Sequence, residues 1–273
     1  ALVPRRMSST LFSIITVSFN DRVGLAKTMS SVRGQLETDY EYLVIDGGST
    51  DGSLELLQEY APSLSYWQSQ PDGGTYDAMN KGIAQARGQY LLFLNSGDSL
   101  ADTDILQKCA AHLHATPTAD VLYGNAVVSG GLTGGQQALW KYPEELTLTF
   151  FLESTINHQA AFFRRTLFNE LGNYAAADGL AADYGFFLRA LLANKHYCYI
   201  DMAIVDYNLG GVSARDNFET YKKAMQAIWQ SLVPAWAQRV VAENVRLADA
   251  TAPRLVKLAG MINTKIKKVL KNQ

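Results

Sequence analysis

Strand patterns and helix patterns alternate along the N-terminal part of the chain, and this alternation constrains the fold more than any other feature. The predicted strands, rich in β-branched, aromatic or other apolar residues, are 12–19, 40–45, 64–68 and 90–94. The helices predicted between them from apolar spacing are 24–35, 53–60 and 75–86. The pattern predicts βαβ units and therefore an α/β, Rossmann-like fold, with a mostly parallel sheet flanked by helices.

Polar residues follow three of these predicted strands at the point where each one ends. The polar segments are residues 19–21, 46–51 and 95–98. In a parallel sheet the carboxyl ends of neighbouring strands meet at one edge, and ligands bind beyond that edge. The sequence therefore predicts one pocket that is built from three separate loops. In the third loop, Asp98 is the single carboxylate.

Composition excludes several other classes of protein. The net charge of -2 and the pI near 6.1 give no overall positive field for binding nucleic acid. Cys109 and Cys198 lie far apart without a CxxC motif, so neither a zinc site nor a disulfide framework is indicated. We find no long apolar window for a membrane-spanning helix and no signal peptide. Residues 1–6 look like a tag-linker remnant, so we place the native start at Met7.

The second polar loop offers a candidate ligand for a nucleotide. Asp46 stands at the end of a strand, where a carboxylate can accept hydrogen bonds from a nucleobase N–H or from ribose hydroxyls. The alternative is an ordinary turn before a capped helix, and we expect Asp51 to serve as that cap. The first strand is not followed by GxGxxG, which argues against a dinucleotide-binding fold.

The segment DGGTYDAMNK, residues 72–81, combines glycines with the start of a predicted helix. Glycines let backbone amides approach a ligand closely, and free N–H groups at a helix start favour anions. Lys81 is then a candidate cation for donor phosphates, with a solvated surface charge as the alternative. For Asp77 the alternative to ligand binding is stabilisation of the helix dipole.

Taken together, the motifs resemble family 2 glycosyltransferases of the GT-A fold, and in particular bacterial polysaccharide-assembly enzymes of the colanic acid type. The motifs that carry this resemblance are SIITVSFN, VIDGGSTDGS, PDGGTYDAMNKGI, FLNSGD, NHQA at 157–160, ADY at 182–184 with Arg189, and GGVS at 210–213. The resemblance covers residues 11–215. It departs from the family at Gly47, where relatives often carry a second acid, and at Met79, where many carry Arg.

The resemblance implies an inverting hexosyltransferase that moves a sugar from a nucleotide-sugar donor, with UDP favoured. The acceptor would be a hydroxyl of a glycan or a lipid-linked oligosaccharide in bacterial surface polysaccharide synthesis. The residues implied to contact the donor are Val17, Phe19, Asp46, Asp72, Asp77, Asn80, Lys81, Asn95 and Ser96. The residues implied to contact donor or acceptor are His158, Gln159, Gly211 and Ser213.

The resemblance also implies a metal ligand and a catalytic base. Asp98 falls in the family's acid-rich motif, which binds a divalent cation, so Mg²⁺ or Mn²⁺ is the expected cofactor. Asp183 falls at the position of the family's base, and we expect a closed pocket to raise the pKa of its carboxyl. Arg189 is expected to be structural. An Asx or Gly turn at Asp98 and a helix cap at Asp183 are the alternatives.

Two other functions remain open at this point. A sugar nucleotidyltransferase would share the α/β logic, but it would normally show a Gly-rich, Arg-containing loop where residues 17–20 read VSFN. A non-catalytic carbohydrate-binding protein would tolerate a metal motif that has only one carboxylate.

Helical patterns dominate beyond the GT-A domain, which we predict to span residues 7–215. Within the extension 216–273, residues 254–271 hold basic residues and no acid, and their apolar residues follow helical spacing. Such a helix fits an anionic membrane surface, and packing against the domain is the alternative. We therefore expect a cytoplasmic enzyme, held peripherally at the inner face of the cytoplasmic membrane. Trp229 and Trp236 are candidates for either core or interface.

Overall fold

A nine-stranded mixed β-sheet organises the chain, in a computed structural model that describes residues 10–129, 137–209 and 218–248. Its strands are β1 (Phe12–Ser18), β2 (Tyr40–Asp46), β3 (Tyr66–Ser69), β4 (Tyr90–Phe93), β5 (Ser99–Leu100), β6 (Val121–Ser129), β7 (Ala138–Trp140), β8 (Ala161–Arg164) and β9 (Tyr197–Asn208). The helices are α1 (Arg22–Arg33), α2 (Ser53–Tyr60), α3 (Thr75–Gln85), α4 (Ile105–Ala115), α5 (Leu148–Glu153), α6 (Thr166–Leu171), α7 (Ala182–Leu192) and α8 (Phe218–Leu232). Short 3₁₀ turns cover Ala61–Ser63, His158–Ala160 and Ala176–Ala181.

The sheet is parallel in its first half and mixed in its second. The strand order is β3-β2-β1-β4-β8-β6-β9-β5, and β7 pairs with β6. Strands β1 to β4 run parallel, as the βαβ pattern predicts. Strand β8 then pairs antiparallel with both β4 and β6, while β6 and β9 are parallel. The α/β prediction is confirmed, and the parallel pairing is concentrated where helical crossovers connect the strands.

Burial explains why these residues form the centre of the sheet. Strands β1 and β4 are buried along their whole length, as expected for strands covered on both faces. An aromatic cluster packs beside β4, and within it Phe93 and Phe163 have ring centroids 6.0 Å apart. Phe168 and Phe186 stack at 4.3 Å in the same cluster. These rings join the sheet to α6 and α7 and so fix the position of α7, which carries Asp183.

The register of the parallel strands brings the predicted polar loops to one edge. Ser18 lies opposite Asp46, and Ile15 lies opposite Phe93, so β1, β2 and β4 end side by side. The prediction that the three loops share an edge is thereby confirmed.

Several predicted boundaries shift by a few residues. Helix α1 begins at Arg22 rather than at residue 24, because the side chain of Asp21 accepts a hydrogen bond from the Gly24 N–H and caps it. The strand predicted at 64–68 lies at Tyr66–Ser69. The segment 157–163 is a 3₁₀ turn at His158–Ala160 followed by β8, so His158 and Gln159 sit in the turn and not in the strand.

Helix α8 shares the core of the preceding domain, although the predicted extension begins just before it. Its Met225, Ile228 and Trp229 are buried in the same hydrophobic cluster as the sheet. The next helix, residues 235–248, buries Ala237 and leaves Trp236 65% exposed. No helix in the described ranges has the length and apolarity needed to cross a membrane. Residues 254–273, and with them the predicted amphipathic helix, lie outside the described part, as does the tag remnant 1–6.

Candidate active site

Asp46 organises the loop that follows β2. Its Oδ2 accepts hydrogen bonds from the Gly48 and Ser49 N–H groups at 3.1 and 2.9 Å and from Ser69 Oγ at 2.7 Å. Its Oδ1 accepts from Ser49 Oγ at 2.5 Å, and the side chain is fully buried. Three of the four donors share Oδ2, and one reaches Oδ1. Asp46 therefore orders the turn after β2, and because Oδ1 keeps a lone pair, a donor contact there stays a prediction.

Asp51 joins the beginnings of two helices. Its Oδ1 accepts from the Ser53 N–H at 3.1 Å, at the first residue of α2, and its Oδ2 accepts from the Arg22 N–H at 2.7 Å, at the first residue of α1. The N-cap residue of α2 is Gly52, which makes no side-chain cap hydrogen bond, so the expectation that Asp51 is the cap is wrong, although Asp51 does bind the first N–H of both helices.

Gly47 lies at the bottom of a recess formed by Phe19 and Asp72. A Cβ at Gly47 would stand 3.0 Å from Asp72 Oδ2 and 3.2 Å from Phe19 Cδ2. The Phe19 ring is 63% exposed, and Asp72 Oδ1 accepts the Gly74 N–H at 2.8 Å. Asp72 thus places a carboxylate close to Gly47, where the family pattern would expect a second acid from the β2 loop. Exposed ring and carboxylate together can stack and hydrogen-bond a nucleobase.

The start of α3 uses its polar residues largely for structure. Asp77 accepts the Gly73 N–H at 2.9 Å and forms an ion pair with Lys81 at 3.0 Å, and these contacts lower the pKa of its carboxyl. The side chain of Asn80 donates to the Tyr174 carbonyl at 2.9 Å and accepts the Tyr174 N–H at 3.1 Å. Asn80 therefore clamps the segment before α7, and its donor contact stays a prediction, whereas Lys81 lies at the partly exposed rim.

Asp98 is buried at the end of β4 and is held by two donors. Its Oδ1 accepts the Asn208 N–H at 2.9 Å, and its Oδ2 accepts from Gln159 Nε2 at 3.1 Å. Asp98 is only 4% exposed, and this burial raises the pKa of its carboxyl to about 7. The Asn208 and Gln159 hydrogen bonds and the proximity of His158 and Lys27 oppose that rise without cancelling it.

Asn95 and Ser96 connect Asp98 to the rest of the site. The Ser96 N–H donates to the Val17 carbonyl at 3.0 Å, so the ends of β4 and β1 are tied together, and the Val17 side chain is itself buried. Asn95 Nδ2 lies 3.3 Å from His158 Nε2. Asn95 Oδ1 is buried and has no hydrogen-bond partner among the described residues. A buried oxygen without a donor is costly unless a ligand supplies one or a cation binds there.

Asp183 is enclosed by four donors at the start of α7. Its Oδ2 lies 3.0 Å from His158 Nδ1. Its Oδ1 accepts from the Tyr76 hydroxyl at 2.8 Å and the Tyr184 N–H at 2.9 Å, with the Tyr221 hydroxyl at 3.4 Å. Burial alone would raise the pKa of this carboxyl, but His158, Tyr76 and the Tyr184 N–H together lower it. The expectation of a raised pKa is therefore wrong.

Tyr76 and Tyr221 were missed by sequence reasoning. Tyr76 lies inside the DGGTYDAMNK segment, so its position in a motif was a usable signal. Tyr221 belongs to α8 and reaches Asp183 only because α8 packs against α7 and the Ala176–Ala181 turn. Arg189 pairs with Asp178 at 3.0 Å, in keeping with a structural role. Gly211 and Ser213 lie outside the described residues.

The oxygen atoms at the end of β4 suit a divalent cation only if other ligands complete its coordination shell. Within the described ranges, no group of three or more His, Cys, Asp or Glu side chains could hold a metal. Asp98 and the unpaired Asn95 Oδ1 lie on one turn, and hard cations prefer such oxygen ligands. Mg²⁺ needs only one or two carboxylates when phosphates and water complete its shell. These two residues therefore suit a cation that arrives with a diphosphate.

Comparison with known proteins decides the family. Residues 13–172, more than half of the chain, match Glycosyl transferase family 2. The chain belongs to glycosyl transferase family 2. This confirms the resemblance seen in the motifs and favours a glycosyltransferase over the two alternative functions.

Two relatives illustrate the match of this family 2 glycosyltransferase. An uncharacterized glycosyltransferase of Mycobacterium tuberculosis is 39% identical over 186 residues, which are 68% of this chain and 70% of the relative. A PGL/p-HBAD biosynthesis glycosyltransferase of Mycobacterium bovis is 33% identical over 215 residues, which are 76% of this chain and 80% of the relative.

Solved structures show the same fold at low sequence identity. Staphylococcus aureus TarS 1–349 in complex with UDP-GlcNAc is 21% identical with a TM-score of 0.62, covering 80% of this chain and 65% of TarS 1–349. The mannosyltransferase PcManGT of Pyrobaculum calidifontis, in complex with GDP-Man and Mn²⁺, is 17% identical with a TM-score of 0.56. The match covers 92% of this chain and 79% of the PcManGT chain. The family 2 glycosyltransferase therefore has a GT-A fold, and it spans less than two thirds of TarS 1–349.

Proposed function

We propose that the protein transfers a sugar with inversion from a nucleotide-sugar donor to a hydroxyl group of a glycan or a lipid-linked oligosaccharide. One observation carries the proposal: the consecutive residues His158 and Gln159 each hold one buried carboxylate. His158 contacts Asp183 at 3.0 Å, and Gln159 contacts Asp98 at 3.1 Å. The two carboxylates are thus fixed relative to each other by one short turn, as a reaction with a base on one side and a leaving group on the other requires.

Asp183 serves as the base for the acceptor hydroxyl. Its Oδ1 is shared by three donors, whereas Oδ2 receives only His158 among the described contacts. Since each carboxylate oxygen has two lone pairs, Oδ2 keeps one for an incoming hydroxyl. Asp183 takes the hydroxyl proton while that oxygen bonds to the anomeric carbon from the side opposite the departing nucleoside diphosphate. The diphosphate leaves with the electron pair of the broken bond, and the configuration inverts.

The donor occupies the edge formed by β1, β2 and β4. Phe19 and Asp72 contact the base or ribose beside Gly47, and Lys81 at the rim attracts the phosphates. Asp98 and Asn95 Oδ1 are the residues that would hold a Mg²⁺ or Mn²⁺ ion. When bound there, such a cation would supply positive charge to stabilise the leaving group. The complexes of TarS with UDP-GlcNAc and of PcManGT with GDP-Man and Mn²⁺ support this assignment by analogy of fold. UDP is the favoured nucleotide.

The basic segment 254–271 holds the enzyme at an anionic membrane, where a lipid-linked acceptor would be concentrated. We expect the full chain to float with vesicles containing anionic lipid and to stay unbound with neutral vesicles. A chain ending at residue 253 should stay unbound with both. Equal flotation of the two chains would remove the segment from the proposal without affecting the proposed chemistry.

The function itself is tested with nucleotide sugars and Mn²⁺. Thermal melting of the full chain is recorded with UDP-, GDP- and dTDP-sugars, because a ligand that binds the folded state raises the melting temperature. The donor that raises it is then used in a transfer assay, and NMR of the product reads the anomeric configuration. Asp98→Ala is tested in the same transfer assay. Its control is Asp102→Ala, in an exposed turn just beyond Asp98. Retention of configuration, or no stabilisation by any nucleotide sugar, contradicts the proposal.

A further inference from the structure

An exposed tryptophan lies on an aromatic neighbour at the edge of the proposed site. Trp140, the last residue of β7, is 42% exposed. Its ring centroid lies 6.3 Å from that of Tyr207, with the ring planes inclined by 41°. Large apolar rings are costly to leave in water, so an exposed indole beside a site indicates a binding surface.

Tyr207 lies on the strand that reaches the buried Asp98 of the proposed site. The next residue, Asn208, donates its N–H to Asp98 Oδ1 at 2.9 Å, which places Tyr207 directly beside the end of β4. Burial and the negative charges of Asp98 and Asp183 raise the pKa of the Tyr207 phenol to about 12. Tyr207 therefore remains a neutral hydrogen-bond donor near the reacting groups.

The strand geometry turns Trp140 rather than its neighbour toward Tyr207. Trp140 pairs with Ala126 of β6, and Ala126 pairs on its other side with Val205 of β9. Successive side chains of a strand point to opposite faces, so Leu139 lies on the other face of β7. Tyr207 lies two residues beyond Val205 and therefore on the same face of the sheet as Trp140, with β6 between the two strands.

We propose that Trp140 and Tyr207 form a subsite that stacks the apolar face of a pyranose ring of the acceptor. The ring C–H groups carry small positive partial charges that suit the negative face of an aromatic ring, and the phenol can bond to a sugar hydroxyl. This proposal rests on the proposed transferase function and names its acceptor class: a sugar ring with one apolar face. The donor also contains a sugar, so donor and acceptor binding are measured separately.

The test uses the full chain with UDP and Mn²⁺ and a panel of methyl glucopyranosides, galactopyranosides and mannopyranosides. Saturation-transfer NMR reads which ring protons contact the protein. We expect at least one glycoside to give signals from its apolar face in the wild type. Trp140→Ala should weaken its binding about fivefold, since an aromatic stack contributes on the order of 1 kcal/mol. Trp140→Phe, which keeps a ring, should stay within about twofold of the wild type.

Trp236→Ala is the matched control, because Trp236 is also an exposed tryptophan and lies on the helix of residues 235–248. It should bind glycosides as the wild type does. Melting-temperature shifts with UDP-GlcNAc should be equal in all variants. Glycoside binding that survives Trp140→Ala, or absence of binding for the whole panel, overturns the subsite. A parallel loss of UDP-GlcNAc binding in Trp140→Ala would assign the platform to the donor instead. A wild type that responds to no nucleotide sugar contradicts the transferase function itself, whatever Trp140 does.

Discussion

His158 Nδ1 lies 3.0 Å from Asp183 Oδ2, and both side chains are buried. Since the carboxylate can only accept, His158 donates from Nδ1, and its Nε2 faces the Asn95 amide at 3.3 Å. The imidazole therefore spans the space between the turn that carries Asp98 and the helix that carries Asp183. Because the neighbouring residue Gln159 donates to Asp98 Oδ2, one short turn holds both carboxylates.

Asp183→Asn should abolish sugar transfer and leave donor binding intact. The amide keeps the size of the side chain but has no basic oxygen to take the acceptor proton, so the loss falls on kcat. General base catalysis typically contributes a factor of about 10² to 10⁴, and the drop should be at least of that order. Turnover and the melting-temperature shift with donor are measured together. Asp201→Asn, which removes an exposed carboxylate distant in the fold, is the control. Near-normal turnover of Asp183→Asn would eliminate it as the base.

Tyr76→Phe should move the acid limb of the kcat profile to higher pH. The Tyr76 hydroxyl stabilises the charged carboxylate from 2.8 Å, so its removal raises the pKa of Asp183. In the folded wild type the pKa of Asp183 is lowered below 3.8. The contact therefore stabilises the fold above pH 3.8, and this stabilisation is lost as the pH falls through the pKa of the folded state. We expect the variant to lose about 1–2 kcal/mol of stability at pH 7 and much less under strong acid.

The matched control for that variant is Tyr199→Phe. Tyr199 is partly buried, and its hydroxyl lies 3.0 Å from Asp201 Oδ1, which is a similar pairing of phenol and carboxylate, and 3.0 Å from Asn125 Oδ1. Tyr199→Phe should leave the pH profile unchanged, because neither of these partners is the proposed base. An unchanged acid limb in Tyr76→Phe would show that this hydroxyl does not act on the base.

Asp98→Asn should stabilise the folded protein at pH 8 and have little effect at pH 4. Burial raises the pKa of Asp98 from 3.8 to about 7, so the folded state holds a proton that the unfolded state has lost. Stability therefore falls as the pH rises from 3.8 through 7, by about 4 kcal/mol over the full range. The neutral amide escapes this penalty.

Denaturant unfolding at both pH values, with EDTA present, measures the difference. Asp102→Asn should leave stability unchanged at either pH, since that side chain is exposed. A destabilised Asp98→Asn at pH 8 would mean that the hydrogen bonds from Asn208 and Gln159 outweigh burial and hold the carboxyl ionised.

Trp229→Ala should destabilise the whole domain and not only its C-terminal helix. Trp229 of α8 is buried in the same cluster as the sheet, and truncation of a buried Trp costs about 3–5 kcal/mol. We expect a single cooperative transition at a lower denaturant concentration, followed by far-ultraviolet circular dichroism and tryptophan fluorescence. Trp236→Ala, on the exposed side of the next helix, should unfold like the wild type. Two separate transitions in Trp229→Ala would make α8 an independent unit.

Donor hydrolysis should also fall in Trp229→Ala under conditions where the variant stays folded. The reason is that α8 positions Tyr221, whose hydroxyl lies 3.4 Å from Asp183 Oδ1. Full activity in the folded variant would separate the helix from the site.

The sequence alone determined the parallel half of the sheet and the edge at which the site forms. The order of apolar and polar residues along the chain predicts which residues are buried. The apolar run Leu91–Leu94, followed by polar residues, is an example. The resemblance to family 2 motifs, rather than periodicity, placed Asp98 and Asp183 among the candidates.

Only the tertiary structure decided how those candidates are used. Asp46 and Asn80 have the right chemistry for a ligand, and folding also gives them structural partners: Asp46 orders the loop after β2, and Asn80 holds Tyr174. Tyr221 reaches Asp183 across 38 residues of chain, and Tyr76 reaches it across 107. The direction in which the pKa of Asp183 shifts depends on the balance between burial and these distant donors. No local pattern records that balance, because it is set by the order of the strands and by the packing of α7 and α8 against them.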